Sequence, residues 1–183
     1  MAAAASSTVR IRRDVWKLPA GDATLEWYGK AVAELKKRPL NDPTGWRYQA
    51  AIHDYGGVPD PLATPQDQKP ADWQTYWQQC QHFCAYFLPW HRAYLFYFED
   101  LIAKTIASLG GPAGWCLPYW NYSDTTNPQA LQLPPGFYQG GAANPLYVAQ
   151  RSQAANALRG HMAELGIVGA MGMASISKLI GVL

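Results

Sequence analysis

The segment from Pro89 to Gly111 most constrains what this chain can fold into. Proline suits the first turn of a helix, where its missing N–H has no partner to lose. His91, Tyr94, Leu95, Phe98, Leu101 and Ile102 then fall on one broad stripe until Gly110-Gly111 stops the run. A stripe that wide has to be covered by other elements. The expected architecture is therefore mainly α, a small antiparallel helical bundle with long loops.

Other segments supply the cover. Asp22 is a plausible cap for a helix carrying Leu25, Tyr28, Val32 and Leu35 until Pro39. Thr44 caps a second, on which Trp46, Ala50 and His53 share a face before Gly56-Gly57. Pro59, Pro61, Pro65 and Pro70 mark a loop, and a third helix is expected from Asp72 to Tyr86. Pro112 to Pro145 is rich in Pro, Gly, Asn and aromatics and reads as long surface loops. Residues 154–183 are Ala-, Gly- and Met-rich with weak helical periodicity. Residues 1–19 read as a tail with one short extended piece around Val9–Leu18, and residues 20–183 as one domain.

The chain has 183 residues, with eight Trp, eleven Tyr and five Phe. That much aromatic surface implies a core of large planar side chains or an aromatic-lined pocket. The net charge is +2 and its cations are dispersed, so neither nucleic acid nor a membrane surface is an expected partner. Three cysteines do not make a secreted disulfide framework. Arg12-Arg13 hints at a twin-arginine signal, but Asp14 and Lys17 follow in place of an apolar run, so cytoplasmic residence is expected.

Four histidines occur, and two of them flank one aromatic segment: Cys80-Gln81-His82 and Phe87-Leu88-Pro89-Trp90-His91-Arg92. A third, His53, ends the second helical pattern. Any one of them alone reads as a core or helix-end histidine. Together they suggest metal ligands, because facing helices of a bundle supply inward-pointing donors and neutral imidazole suits copper. Phe87 and Trp90 read as walls that hold the rings and exclude water, a role compatible with ordinary core packing. A zinc cluster of His53, Cys80, His82 and Cys84 is a rival reading, but its spacing fits no common zinc pattern. Cys84 and Cys116 read as structural, since Cys80 and Cys84 are poorly spaced for a disulfide.

The block from Cys80 to Glu99 resembles the first-copper half of the tyrosinase and polyphenol oxidase family of binuclear copper proteins. Trp46-Arg47-Tyr48-Gln49-Ala50-Ala51-Ile52-His53, Leu117-Pro118-Tyr119-Trp120 and Asn144-Pro145-Leu146-Tyr147 resemble further family segments in the same order. The resemblance implies a tyrosinase-like di-copper domain whose first copper is held by His53, His82 and His91. It implies dioxygen and phenolic or catecholic small molecules as partners. In some members a cysteine two residues before the ligand is joined to it by a thioether. Cys80 and His82 occupy those positions, and a plain buried thiol is the other reading. Asn121 stands where the family commonly has Asp, so no carboxylate role is expected there. Arg92 and Glu99 could anchor the flank of their helix, by a surface pairing or by supporting the site.

The family's second copper uses a His-x-x-x-His pair and a later His. After His91 this chain has only His161; aligning His161 with the first of the pair puts Leu165 in place of the second. Val168-Gly169-Ala170-Met171-Gly172 loosely resembles a turn of that half. His161 is thus a weak candidate for the second copper, and a surface histidine is the plainer reading. Most of the second-copper half is expected to be missing. Two readings follow: a copper oxidoreductase by family, or a non-enzymatic mononuclear copper-binding domain or inactive relic. A homodimer or a complementing chain is an expected partner, because the first-copper helices would lose part of their cover at Tyr94 and Phe98.

Overall fold

A computed structural model describes residues 9–53, 55, 67–81 and 84–148. Helix α1, Thr24–Lys36, forms where its apolar spacing requires. Asp22 Oδ1 accepts the Thr24 N–H at 2.8 Å, satisfying one of the donors that a helix start leaves over. Tyr28, Ala31, Val32 and Leu35 make the buried face, and the helix stops at Lys36, before Pro39. Helix α2, Trp46–His53, has two working sides. Trp46 meets Phe98 edge-on, while Tyr48 and Ala51 pack in a second cluster with Leu40 and Trp77. Thr44, the expected cap, bonds back to Asp42 through both its N–H and its hydroxyl.

The third helix is far shorter than its expected span of Asp72 to Tyr86. Helix α3 covers only Trp73–Tyr76. The cause is non-local. The N–H groups of Gln78 and Gln79 donate to the Ala51 and Ile52 carbonyls at the end of α2, both at 2.9 Å. Those carbonyls have no partner within their own helix, and capturing them pulls the chain out of helical geometry. Gln78 takes φ 58°, a left-handed conformation that costs a non-glycine residue about 1–2 kcal/mol. Its side-chain amide donates to the Tyr55 carbonyl, tying the bend in place. Trp77 is buried just before the bend, edge-on to Tyr48.

Helix α4, Phe87–Ser108, is the spine. It begins two residues before Pro89, which still lies in the first turn. His91, Tyr94, Phe98, Glu99, Ile102, Thr105 and Ile106 are its buried positions, and α1 packs along it. Gly110 has φ 81° at the helix end, and a Cβ on Gly111 would come within 2.5 Å of Ile106 and 2.8 Å of Trp27. Only glycine lets the chain leave the helix so close to α1.

Residues 112–146 differ from the expected surface loops. They form no α-helix, only turns and the short 3-10 turns Pro135–Phe137 and Gly141–Ala143. Yet Trp115, Leu117, Trp120, Leu133, Phe137 and Leu146 are buried in the main core beside Tyr28, Val32, Phe98, Ile102 and Ile106. The polar handles of the two indoles are satisfied: Trp115 Nε1–H donates to the Thr24 carbonyl at 3.0 Å and Trp120 Nε1–H to Ala130 at 2.6 Å. The N-terminal segment, expected as one extended piece around Val9–Leu18, docks on this layer and coils into a short 3-10 helix at Val15–Lys17, where the Asp14 side chain accepts the Trp16 N–H. The Val15 N–H donates to the Tyr119 carbonyl, the Tyr119 N–H to Arg13, and Val15 is buried. The Asp14–Tyr119 contact is the sole isolated bridge among the described residues, so the fold is mainly α. Among them, no helix is long and apolar enough to cross a membrane.

Candidate metal centre

Two helices and one bend meet at a corner of the molecule. His53 is the last residue of α2 and is 2% exposed; His91 is in the second turn of α4 and is 6% exposed. Their ring centroids are 5.5 Å apart, at 70°. The bend at Gln78 then carries Cys80 up to the same place, its Sγ 3.0 Å from His91 Nε2. One ligand atom each from His53, Cys80 and His91 lie within 4.8 Å of one another.

The orientation of His91 follows from its helix. Its Nδ1 is 2.7 Å from the Phe87 carbonyl oxygen, four residues back in the first turn. A carbonyl can only accept, so Nδ1 carries the proton and donates. In the neutral ring the lone pair is then on Nε2, the atom facing Cys80. A histidine ligand whose far nitrogen is anchored to a backbone carbonyl is held in one tautomer and one orientation.

Aromatic rings close the corner. Phe87 lies 4.3 Å from the His91 ring and Trp90 5.0 Å, and Trp90 also borders His53 at 6.1 Å. Trp90, Tyr94 and Phe98 form a stacked ladder along α4, with centroids 5.3 Å and 6.3 Å apart. Tyr94, which sequence reasoning placed only on the apolar stripe, borders His53 at 6.2 Å. Its hydroxyl donates to the Gln49 carbonyl at 2.8 Å and ties α4 to α2; burial holds its phenol well above the usual range. The i, i+4 spacing of Trp90, Tyr94 and Phe98 was the available signal for that ladder.

Glu99 turns inward. Its Oε2 accepts the Leu117 N–H at 2.9 Å and Arg12 Nε–H at 2.7 Å, so it anchors the loop layer and the N-terminal segment to α4. Arg92 is exposed. Cys84 is exposed and outside the three-donor group, so it does not join the zinc set weighed above. Burial pushes the Cys116 thiol up from its ordinary range. His82 and His161 lie outside the described residues, so the expected Cys80–His82 thioether does too; the sulfur of Cys80 is 3.0 Å from His91 Nε2. A cavity of about 280 Å³ lined by Arg13, Asp22, Trp27, Trp115 and Cys116 is separate from the histidine pair.

The donor set fits a borderline or soft transition metal: two buried imidazoles, one with its tautomer fixed, and a half-buried thiol beside them, bordered by aromatic rings. The pattern of the common central domain of tyrosinase matches residues 43–175. Tyrosinase HcTyr1 of Hahella sp. (strain CCB-MM4) is 48% identical over 143 residues, 70% of this chain and 30% of that protein. Chloroplastic catechol oxidase B of Solanum tuberosum is 34% identical over 157 residues, 82% of this chain and 23% of the relative. The structure of latent apple tyrosinase superposes with a TM-score of 0.56 at 28% identity, over 81% of this chain and 28% of that one. The chain thus spans less than a third of the length of each of these relatives.

Proposed function

The chain belongs to the tyrosinase family, and on that premise we propose that it holds the first copper of a binuclear copper oxidoreductase that acts with dioxygen on phenols and catechols. The observation that carries this reading is the meeting of His53 and His91, from two helices, within an aromatic wall. Bound copper would supply the redox chemistry with dioxygen. This chain's own residues do the positioning. The Phe87 carbonyl holds the His91 ring with Nε2 inward, and Tyr94 fixes α2, and so His53, against α4. Phe87 and Trp90 keep water from the donors. His82 is the third imidazole on this reading.

Four histidines cannot furnish the six imidazoles of two such centres. The expectation for these residues by themselves is therefore one metal per chain and negligible oxidation of tyrosine or catechol. That count equally favours a second reading, a mononuclear copper-binding module without catalysis. Adding a polypeptide that carries the second set of histidines separates the two: restored catechol oxidation supports the oxidoreductase, and none supports the module. On the first reading, further polypeptide or a second copy packs on Leu88, Phe96 and Tyr97, which α4 leaves exposed, whereas Tyr94 and Phe98 are buried within the chain. Self-association in sedimentation supports this, and a monodisperse monomer at high concentration counts against it.

Metal analysis after copper loading tests the site itself. Wild type should hold close to one copper, and His91→Ala should weaken binding by more than about a hundredfold, since even loss of a group that only orients a ligand costs 10–100-fold. Equal copper in His91→Ala and wild type would sink the proposal.

A further inference from the structure

The bend after α3 holds a strained residue that no step described so far uses. We propose that Gln78 is a positioning residue: its backbone N–H and its side-chain amide clamp the chain on either side of His53 and so fix where that imidazole stands. This inference rests on the copper reading of the corner and leaves its ligands as they are.

Three observations carry it. The first is where the bonds fall. The Gln78 N–H donates to the Ala51 carbonyl and the Gln79 N–H to the Ile52 carbonyl, both at 2.9 Å, and the Gln78 side-chain amide donates to the Tyr55 carbonyl. Two of these acceptors precede His53 and one follows it. His53 is the last residue of α2, and the final turn of a helix frays when its carbonyls have no partners. A ligand placed there keeps its aim when the turn is held from outside.

The second is that the clamp is anchored at both ends. Trp77, directly before Gln78, is 2% exposed and packs edge-on against Tyr48 of α2. The Tyr55 ring lies 4.5 Å from that of Trp77 and 5.8 Å from that of Trp73, and the Lys69 ammonium stands 4.8 Å over it. The amide therefore joins two packed points, with His53 in the short stretch between the acceptors.

The third is the strain. Gln78 has φ 58° and is, among the described residues, the one non-glycine with positive φ. Glycine would make the same bend without the steric cost of a Cβ and would keep both backbone bonds. What glutamine adds is the amide on the Tyr55 carbonyl. Strain of this kind persists where the surroundings over-determine it, and it gathers at functional sites.

Copper titration, thermal unfolding and NMR of the full chain test this in two variants. Gln78→Gly keeps the backbone bonds, relieves the strain and removes the amide. Gln78→Met keeps the length of the side chain and removes its hydrogen-bonding groups. Both should melt within about 5 °C of wild type, since the bond lost is a single neutral one. Both should bind copper at least about tenfold more weakly, the lower end of what loss of a ligand-orienting group costs. In the metal-free chain the His53 ring signals should shift or broaden in both variants, and those of His91, held by the Phe87 carbonyl, should change less. A merely structural glutamine would lower the melting temperature and move neither the affinity nor the His53 signals. Wild-type affinity in both variants would overturn the proposal, and so would His53 signals that ignore them. Weaker copper in Gln78→Gly with wild-type affinity in Gln78→Met would overturn the part given to the amide. No copper bound by wild type would defeat the copper reading instead, and the His53 signals would still decide the clamp.

Discussion

From Phe98 onward, α4 presents Phe98, Ile102 and Ile106 at zero exposure to a layer built from α1 and the 112–146 loops. From Phe87 to Tyr97 the same helix turns His91 inward, yet leaves Leu88 68%, Phe96 55% and Tyr97 71% exposed. The first end buries apolar area wherever it can, which is what holds a domain together. The second buries imidazoles beside a thiol, a placement that costs stability unless the polar atoms find partners. Beside it lies the bend at Gln78, whose left-handed backbone is a local strain that the surrounding hydrogen bonds maintain. One helix therefore serves a stabilising region and a ligand-holding region, joined through the Trp90–Tyr94–Phe98 ladder.

The largest effect that sharpens this division is expected from Phe98→Ala. Phe98 meets Trp46 edge-on and stacks on Tyr94, with no exposed surface. Its truncation should cost about 3–5 kcal/mol, a large part of the stability of a single domain. Chemical denaturation of the apo chain measures it. At a temperature where the variant remains folded, its copper stoichiometry should match wild type. Loss of copper from a folded Phe98→Ala would show that the two ends are not separable.

A smaller effect, of opposite kind, is expected at the joint. Tyr94→Phe keeps the ring in the ladder but removes the hydroxyl that donates to Gln49. A single neutral hydrogen bond contributes about 0.5–1.5 kcal/mol, so the melting temperature should fall by only a few degrees. Copper affinity should fall too, because the bond fixes α2 and hence His53. If Tyr94→Phe lowers stability with no change in affinity, the hydroxyl belongs to the stabilising end alone.

The sequence was most legible where structure is local. The stripes of α1 and α4 could be read from spacing, since a helix buries whatever lies on one face. The Cys80-to-Glu99 block carried its resemblance in contiguous residues. The stop at Trp77 could not be read, because the carbonyls that capture Gln78 and Gln79 belong to Ala51 and Ile52 of α2, 27 positions earlier. Nothing in Trp73 to Tyr86 announces a break. Residues 112–146 misled for a related reason. Their prolines and glycines do prevent helices, as expected, but Trp115, Trp120 and Phe137 fill the core because α1 and α4 leave room for them. Glu99 gave no local sign of its partners, Arg12 and the Leu117 N–H, both distant in sequence.

The smallest expected effect lies outside the metal corner, where the N-terminal segment meets the loop layer. Lys17 Nζ and Asp124 Oδ2 are 2.8 Å apart. The Lys17 hydrogen bond, with help from Thr126, lowers the Asp124 carboxyl to about 2 from an ordinary 3.8. A depressed carboxylate contributes stability that is fully present above its unfolded value and is lost as pH falls through its folded value. The link should therefore hold at pH 5 and above, weaken from about pH 4 and be gone only below about pH 2. NMR titration of the Asp124 side chain should give a midpoint near 2 in wild type. In Lys17→Ala the midpoint should rise toward the ordinary carboxylate range, and added salt should move wild type the same way, because exposed pairs are screened. The rings of His53 and His91 should give the same NMR signals in Lys17→Ala as in wild type at neutral pH. A midpoint that ignores the lysine would remove the ion pair as the cause of the shift. Histidine signals that follow Lys17→Ala would mean that the loop layer and the metal corner respond together, and the two ends of α4 would have to be treated as one unit.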